Sequence, residues 1–149
     1  MMIEEPFVEL NRASTQRIRA LAARLTDAEL QRPVDKHWTI AIALAHIAFW
    51  DRRTLAVLDK TEAAGKLVTF EVDVAVNDVA LPLWAAIPPR EAARLAIESA
   101  EAVDRRLEGF SPALLEAAYA EYKPRVVRAL HRNEHLDEIE AMLRTGRGS

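Results

Sequence analysis

The stretch VVRALHRNEHLDEIEAML, residues 126–143, decides the fold. Its apolar residues return every three or four positions, which is the period of an amphipathic helix and not the alternation of a strand. Into this pattern the sequence sets His131 and His135 where aliphatic side chains would pack more simply. At 100° per residue the two lie about 40° apart, one turn above the other. Val127, Ile139 and Met142 fall on the same stripe, so both imidazoles are expected to face the core of a helical bundle. Two histidines at this spacing can offer two nitrogen ligands to one metal ion, and they can equally be core histidines hydrogen-bonded to carbonyls.

A third histidine shifts that balance. In ALAHIAFWD the same arithmetic puts Thr39, Ile42, His46, Trp50, Arg53 and Val57 on one helical stripe, so His46 also replaces an aliphatic residue on a core face. Three of the chain's four histidines therefore sit on apolar faces, while His37 precedes the Thr39 cap and is expected to be exposed. Three neutral imidazoles converging in a bundle suit Zn²⁺, Ni²⁺, Fe²⁺ or Mn²⁺ and leave a coordination position open.

The rest of the chain supports a bundle. A first helix is expected from about residue 5 to 25, followed by a break at 26–36 around Pro33. Thr39 opens a long second helix that stops at Gly65. Residues 66–89 mix β-branched content with helical spacing; a loop and then a short helix from about Asp73 is the preferred assignment, because one strand alone has no pairing partner. Pro88 and Pro89 open a helix that ends at Gly109, Ser111-Pro112 opens a short one to about Glu121, and Pro124 is expected to begin the last helix, to about Leu143. The predicted class is all-α: a four-helix bundle with short additional helices in its connections, one domain over residues 1–149 with a frayed tail at 144–149.

Composition narrows the function. A formal net charge of −3, from 23 acidic and 20 basic residues mixed along the chain, provides no basic stripe for nucleic acid. No apolar run is long enough to span a membrane, and the acidic N-terminus resembles no targeting segment, so a cytoplasmic protein is expected. With no cysteine, the chain has neither a thiolate ligand nor a thiol nucleophile of its own. HRNEH also spells the H-x-x-E-H of inverted zinc peptidases, but those are larger mixed folds with a distant third ligand. Glu134 points to the flank of the stripe, whereas Glu138 lies about 20° from His131 and is the better catalytic carboxylate, or else a partner for Arg53 or another cation.

With these residues assembled, the chain resembles the DinB/YfiT-like superfamily of metalloenzymes, which includes the metal-binding domain of mycothiol-dependent maleylpyruvate isomerases. The resemblance spans about residues 25–143 and rests on HWTIAIALAHIAFWDRR, residues 37–53, and HRNEHLDEIEAML, residues 131–143. It implies a metal triad of His46, His131 and His135, and a bundle of unusual chain path whose crossover the stretch 65–89 could supply. VDVAVND, residues 72–78, is similar to a segment of isomerase-like members and marks Asn77 as a cofactor-site candidate. The resemblance further implies a low-molecular-weight thiol, such as mycothiol or bacillithiol, and a homodimer. The chain stops soon after its last ligand helix, so the extra C-terminal domain of the maleylpyruvate isomerases is not expected.

The function expected from these residues is a thiol-dependent S-transferase or isomerase acting on a small electrophilic substrate at the three-histidine site. Arg53 would hold an anionic group or else form an ion pair at the end of the bundle, and Trp50 would flank the cofactor or else pack in the core. The alternatives are a metal-dependent hydrolase and a non-catalytic metal-binding or stress-response protein.

Overall fold

Thr39 starts the helix that carries His46 by a local device: its Oγ1 accepts the Ile42 N–H at 3.1 Å, and the helix ends at Gly65, whose φ of 70° a side-chain-bearing residue rarely adopts. The computed structural model describes residues 3–71, 73 and 75–145. In order these form α1 (Phe7–Arg24), α2 (Asp27–Leu30), α3 (Ile40–Ala64), α4 (Ala75–Ala85), α5 (Pro89–Glu108), α6 (Pro112–Glu121), a 3₁₀ turn (Lys123–Arg125) and α7 (Ala129–Thr145). The protein is all-α, and among the described residues the only extended pairing is an isolated bridge between Pro33 and Thr39. Arg144 and Thr145 belong to α7 or its end, while residues 146–149 of the expected frayed tail lie outside the described residues.

Two boundaries differ from expectation. The break after α1 contains a helical turn, α2, fixed by a capping box in which Thr26 Oγ1 accepts the Glu29 N–H and Glu29 Oε1 accepts the Thr26 N–H. The last helix begins at Ala129 and not at Pro124, because its cap comes from another helix. Asn11 of α1, wholly buried, accepts the Ala129 N–H on Oδ1 at 3.0 Å and donates from Nδ2 to the Val126 carbonyl at 2.9 Å.

Four long helices close into a ring. α5 packs against α1 and α3, and α7 packs against α1 and α3, so α1 stands diagonally from α3 and α5 from α7. The segment 65–88 therefore joins neighbours, and the expectation that it supplies the crossover is overturned. The diagonal passages are made by the segments on either side of α2 and by α6 with the 3₁₀ turn. The α3–α5 pairing is the most extensive, and α5 brings to the core Ala92, Ala93, Ala96 and Ala100, whose small side chains allow close approach.

A charged layer divides the core in two. Above it, Ile18, Leu44, Ile47, Leu136 and Ile139 belong to one buried apolar cluster. Below it, Leu58, Val103, Leu107 and Phe110 belong to another. Between them Arg132, with no exposed surface, donates from Nε to Asp51 Oδ2 and from Nη1 to Asp104 Oδ1, each at 2.9 Å. Its Nη1 also reaches the Asn11 carbonyl, Ser14 Oγ and Thr15 Oγ1 at 3.2 Å. Arg128 donates from Nε to the other Asp51 oxygen at 2.8 Å, and Thr15 Oγ1 donates to Asp104 Oδ2 at 2.5 Å. Two buried guanidiniums thus meet two buried carboxylates, and all four long helices contribute.

This layer also resets the face of α7. Its buried stripe runs Arg132, Leu136, Ile139 and Leu143, while His131, His135 and Met142 stand half-buried on the flank. Val127 precedes the helix altogether. The expected core stripe is therefore displaced by one residue, because Arg132 has partners in the middle of the bundle that a histidine of shorter reach would not meet.

Removing one member of a paired buried set leaves its partners short of charge, and Arg132→Met leaves Asp104 with only the Thr15 hydroxyl and Asp51 with Arg128 alone. The expected cost is about 3–5 kcal/mol of unfolding free energy, read from urea titration. A loss below about 1 kcal/mol, within the range of an exposed pair, would show that the layer does not hold the helices together.

Candidate metal centre

Because α3 and α7 are neighbours in the ring, the flank of α7 that carries His131 and His135 closes on His46. His46 is 4% exposed, and one ligand nitrogen from each of the three rings lies within 4.8 Å of the others. Nε2 of His46 and Nε2 of His131 are 3.1 Å apart. Ring centroids are separated by 4.6 Å for His46 and His135, and by 4.8 Å for His131 and His135. Trp38 tilts against His46 at 4.6 Å and stacks on His135 at 5.8 Å, and Trp84 of α4 meets His46 edge-on at 5.2 Å. The indoles hold the imidazoles in place and keep water from one side.

Burial governs the charge of this group. Desolvation, aided by His135 and Arg128, lowers the His46 pKa to about 3. Desolvation and then Arg128, whose Nη2 stands 3.4 Å from His131 Nδ1, lower that of His131 to about 2. His135 is lowered by burial too, while Glu138 and Glu134 oppose the shift. All three rings are held neutral at physiological pH, the state in which imidazole ligates a metal.

The donor set fits a divalent transition ion. Nitrogens that each stand about 2.0–2.1 Å from one ion can lie 3.1 Å apart, as those of His46 and His131 do. Two neutral imidazoles facing each other at that distance can share only one proton, and the third ring, His135, brings its own nitrogen to the same point. The outer shell is thin: His135 Nδ1 has Glu138 Oε1 at 3.9 Å, and the buried His46 Nδ1 has no partner among the described residues.

The triad forms one wall of a cleft of about 340 Å³. Trp50, Arg53 and Asn77 line it as well, and Trp50 Nε1 donates to Asn77 Oδ1 at 2.9 Å, so the two cofactor-site candidates brace each other. The Arg53 guanidinium donates to the Phe70 carbonyl at 3.0 Å and lies 5.6 Å from the Trp50 ring centre. Glu138 is exposed and is not among the residues lining the cleft, whereas Glu134 is. His37 is exposed, as expected. Sequence reasoning passed over Trp38, Tyr122, Arg125 and Arg128, which also line the cleft. Arg128, three residues before His131 and inside the helix expected from Pro124, was open to the same helical counting.

A family model described as the DinB superfamily matches residues 10–139, most of the chain and all three histidines. The chain belongs to the DinB superfamily. No curated protein and no solved structure matches it. In this DinB protein the three histidines form a group that can hold a divalent metal ion. Among the described residues no helix is long and apolar enough to cross a membrane.

Two expectations follow from this geometry. The protein should take up about one Zn²⁺ or similar ion per chain, with occupancy sharply reduced in His46→Ala, His131→Ala and His135→Ala and unchanged in His37→Ala, by elemental analysis after dialysis. The second concerns the metal-free protein. Above about pH 6.5 folded and unfolded histidines are both neutral and contribute no pH dependence. Below it the unfolded chain binds protons that the buried rings refuse, so stability falls as the pH drops from 7 to 5. Urea midpoints should decline over that range, and less steeply in His46→Gln; midpoints that stay level would contradict the neutral burial of the rings.

Proposed function

We propose that the cleft is the active site of a metal-dependent enzyme, a thiol-dependent S-transferase or isomerase acting on a small electrophile. The observation that supports it is the position of the histidines: they border a cleft and are not sealed in the core, as the ligands of a purely structural ion would be. When bound, the ion supplies Lewis acidity that lowers the pKa of a thiol or water entering the site.

The chain's own residues shape what can enter. Without cysteine the protein depends on an external thiol, such as mycothiol or bacillithiol, for sulfur chemistry. Trp38 and Trp50 supply flat apolar walls, Asn77 fixes the indole of Trp50, and Arg53 adds positive charge beside it. Glu138, 3.9 Å from His135 Nδ1, is beyond hydrogen-bond reach and contributes negative charge beside that ring. One observation favours a second reading. Glu134 lines the cleft on the turn between His131 and His135, where a carboxylate could take a proton from water, and that would make the enzyme a hydrolase.

The readings separate by assay. Metal-loaded protein supplied with mycothiol or bacillithiol and monobromobimane or a chloronitrobenzene should give turnover that needs both metal and thiol, and His135→Ala should abolish it with the helical circular dichroism retained. Turnover of esters or amides without thiol, lost in Glu134→Gln, would establish the hydrolase. Tight reversible metal binding with neither activity would return the protein to a metal-binding role.

A further inference from the structure

Arg125 sits in the 3₁₀ turn that precedes α7, is 8% exposed, and lines the cleft. Its Nη1 is buried and has no hydrogen-bond partner among the described residues. Its Nη2 has only Glu121 Oε1, at 3.4 Å, a long contact to a half-exposed carboxylate. A buried guanidinium N–H left unpaired is costly, and in native proteins such groups are rare. The other cations at the cleft are differently committed. Arg128 is neutralised by Asp51 and also donates to the Pro124 carbonyl at 2.9 Å, and Arg53 is turned to the Phe70 carbonyl and the Trp50 ring.

We propose that Arg125 is an anion-recognition residue and that the cleft takes small molecules bearing a carboxylate or phosphate, with the anionic group held at the Arg125 guanidinium and the body of the molecule between Trp38 and Trp50. This rests on the reading of the cleft as a small-molecule site and adds to it the charge class of the ligand. The fork of a guanidinium matches the two oxygens of an oxyanion; Nη2, held only by the long Glu121 contact, can turn to one of them, and that turn would bring the shielded Nη1 to the other. Arg53 and Arg125 border a cleft whose lining includes one acid, Glu134, while the third guanidinium there, Arg128, is already paired with Asp51. Burial first, and then the charges of Arg125 and Arg128, lower the Arg53 pKa from its ordinary value, though the guanidinium stays charged. An anion relieves that repulsion. Tyr122, also in the lining and 56% exposed, lies three residues before Arg125, whose N–H its carbonyl accepts at 3.0 Å, and would stand at the rim where such a group enters.

The test uses the full chain in two states, metal-free and Zn²⁺-loaded, titrated by calorimetry with benzoate, phenyl phosphate and the neutral analogue benzamide. The metal-free arm asks about Arg125 alone, so it keeps its answer even if the enzyme reading fails. Benzoate or phenyl phosphate should bind metal-free protein at least tenfold more tightly than benzamide, and whichever binds better identifies the oxyanion. Arg125→Gln should remove that preference, and Arg125→Lys should restore part of it, with zinc content and circular dichroism unchanged in both. Equal affinity for charged and neutral probes, or charged-probe affinity that is the same in Arg125→Gln as in the parent, would overturn the proposal. Should Arg125→Gln fail to fold, the probe preference of the parent protein and of Arg125→Lys still decides it.

Discussion

The two oxygens of Asp51 are the fixed point of the molecule. One accepts from Arg128 and the other from Arg132, so a single carboxylate of α3, with no surface in water, engages the start of α7 and the turn just before it. His46 lies five residues before Asp51 on α3, and His131 lies between the two arginines in sequence. Sliding α7 by one turn against α3 would separate the imidazoles, and it would also break both ion pairs in a medium where unpaired charge is expensive. Apolar packing alone does not give such strict registration, since Leu136 and Ile139 would find comparable contacts a turn away. The charged layer sets the alignment on which the metal centre depends.

That layer also supplies the electrostatics. Arg128 spends one nitrogen on Asp51 and turns another toward His131, so the charge that anchors α7 also discourages protonation of a ligand. Burial does the rest, and for His46 it is the leading cause. The combination leaves a neutral set of nitrogen donors beside a cationic wall, a setting in which a metal ion and an anionic molecule would each find what the protein itself does not provide.

The sequence shows what depends on neighbours along the chain. The start at Thr39 and the stop at Gly65 follow from caps whose donors and acceptors lie within four residues, and the starts at Pro89 and Pro112 from a proline at the first helical position. The all-α class and the convergence of His46, His131 and His135 follow from helical periodicity on two long helices. The capping box at Thr26 and Glu29 was legible by the same rule, although a single turn between a polar run and Pro33 is easily read as a break. What stayed hidden is set by distant partners. The start of α7 depends on Asn11, and the core face of α7 depends on Asp51 and Asp104 drawing Arg132 inward. An arginine next to a histidine counts as solvent-facing until its carboxylates are known. The chain path failed for a related reason: the length of the 65–88 connection says nothing about whether the helices it joins are adjacent or diagonal.

Asn11 has a consequence in time. The helix that bears two of the three clustered histidines is capped by a side chain more than a hundred residues earlier, so α7 gains a defined start only after α1 has docked and a contact of very long sequence separation has closed. During synthesis the chain emerges from its N-terminus, and the Asn11 amide stays bonded to water until nearly the whole polypeptide has left the ribosome. Until then the growing chain presents His37 and His46 as lone imidazoles, which bind ions weakly and release them. The three-histidine group is thereby complete only when nearly all of the chain has been made, and an ion that needs all three nitrogens could be held only by the finished fold.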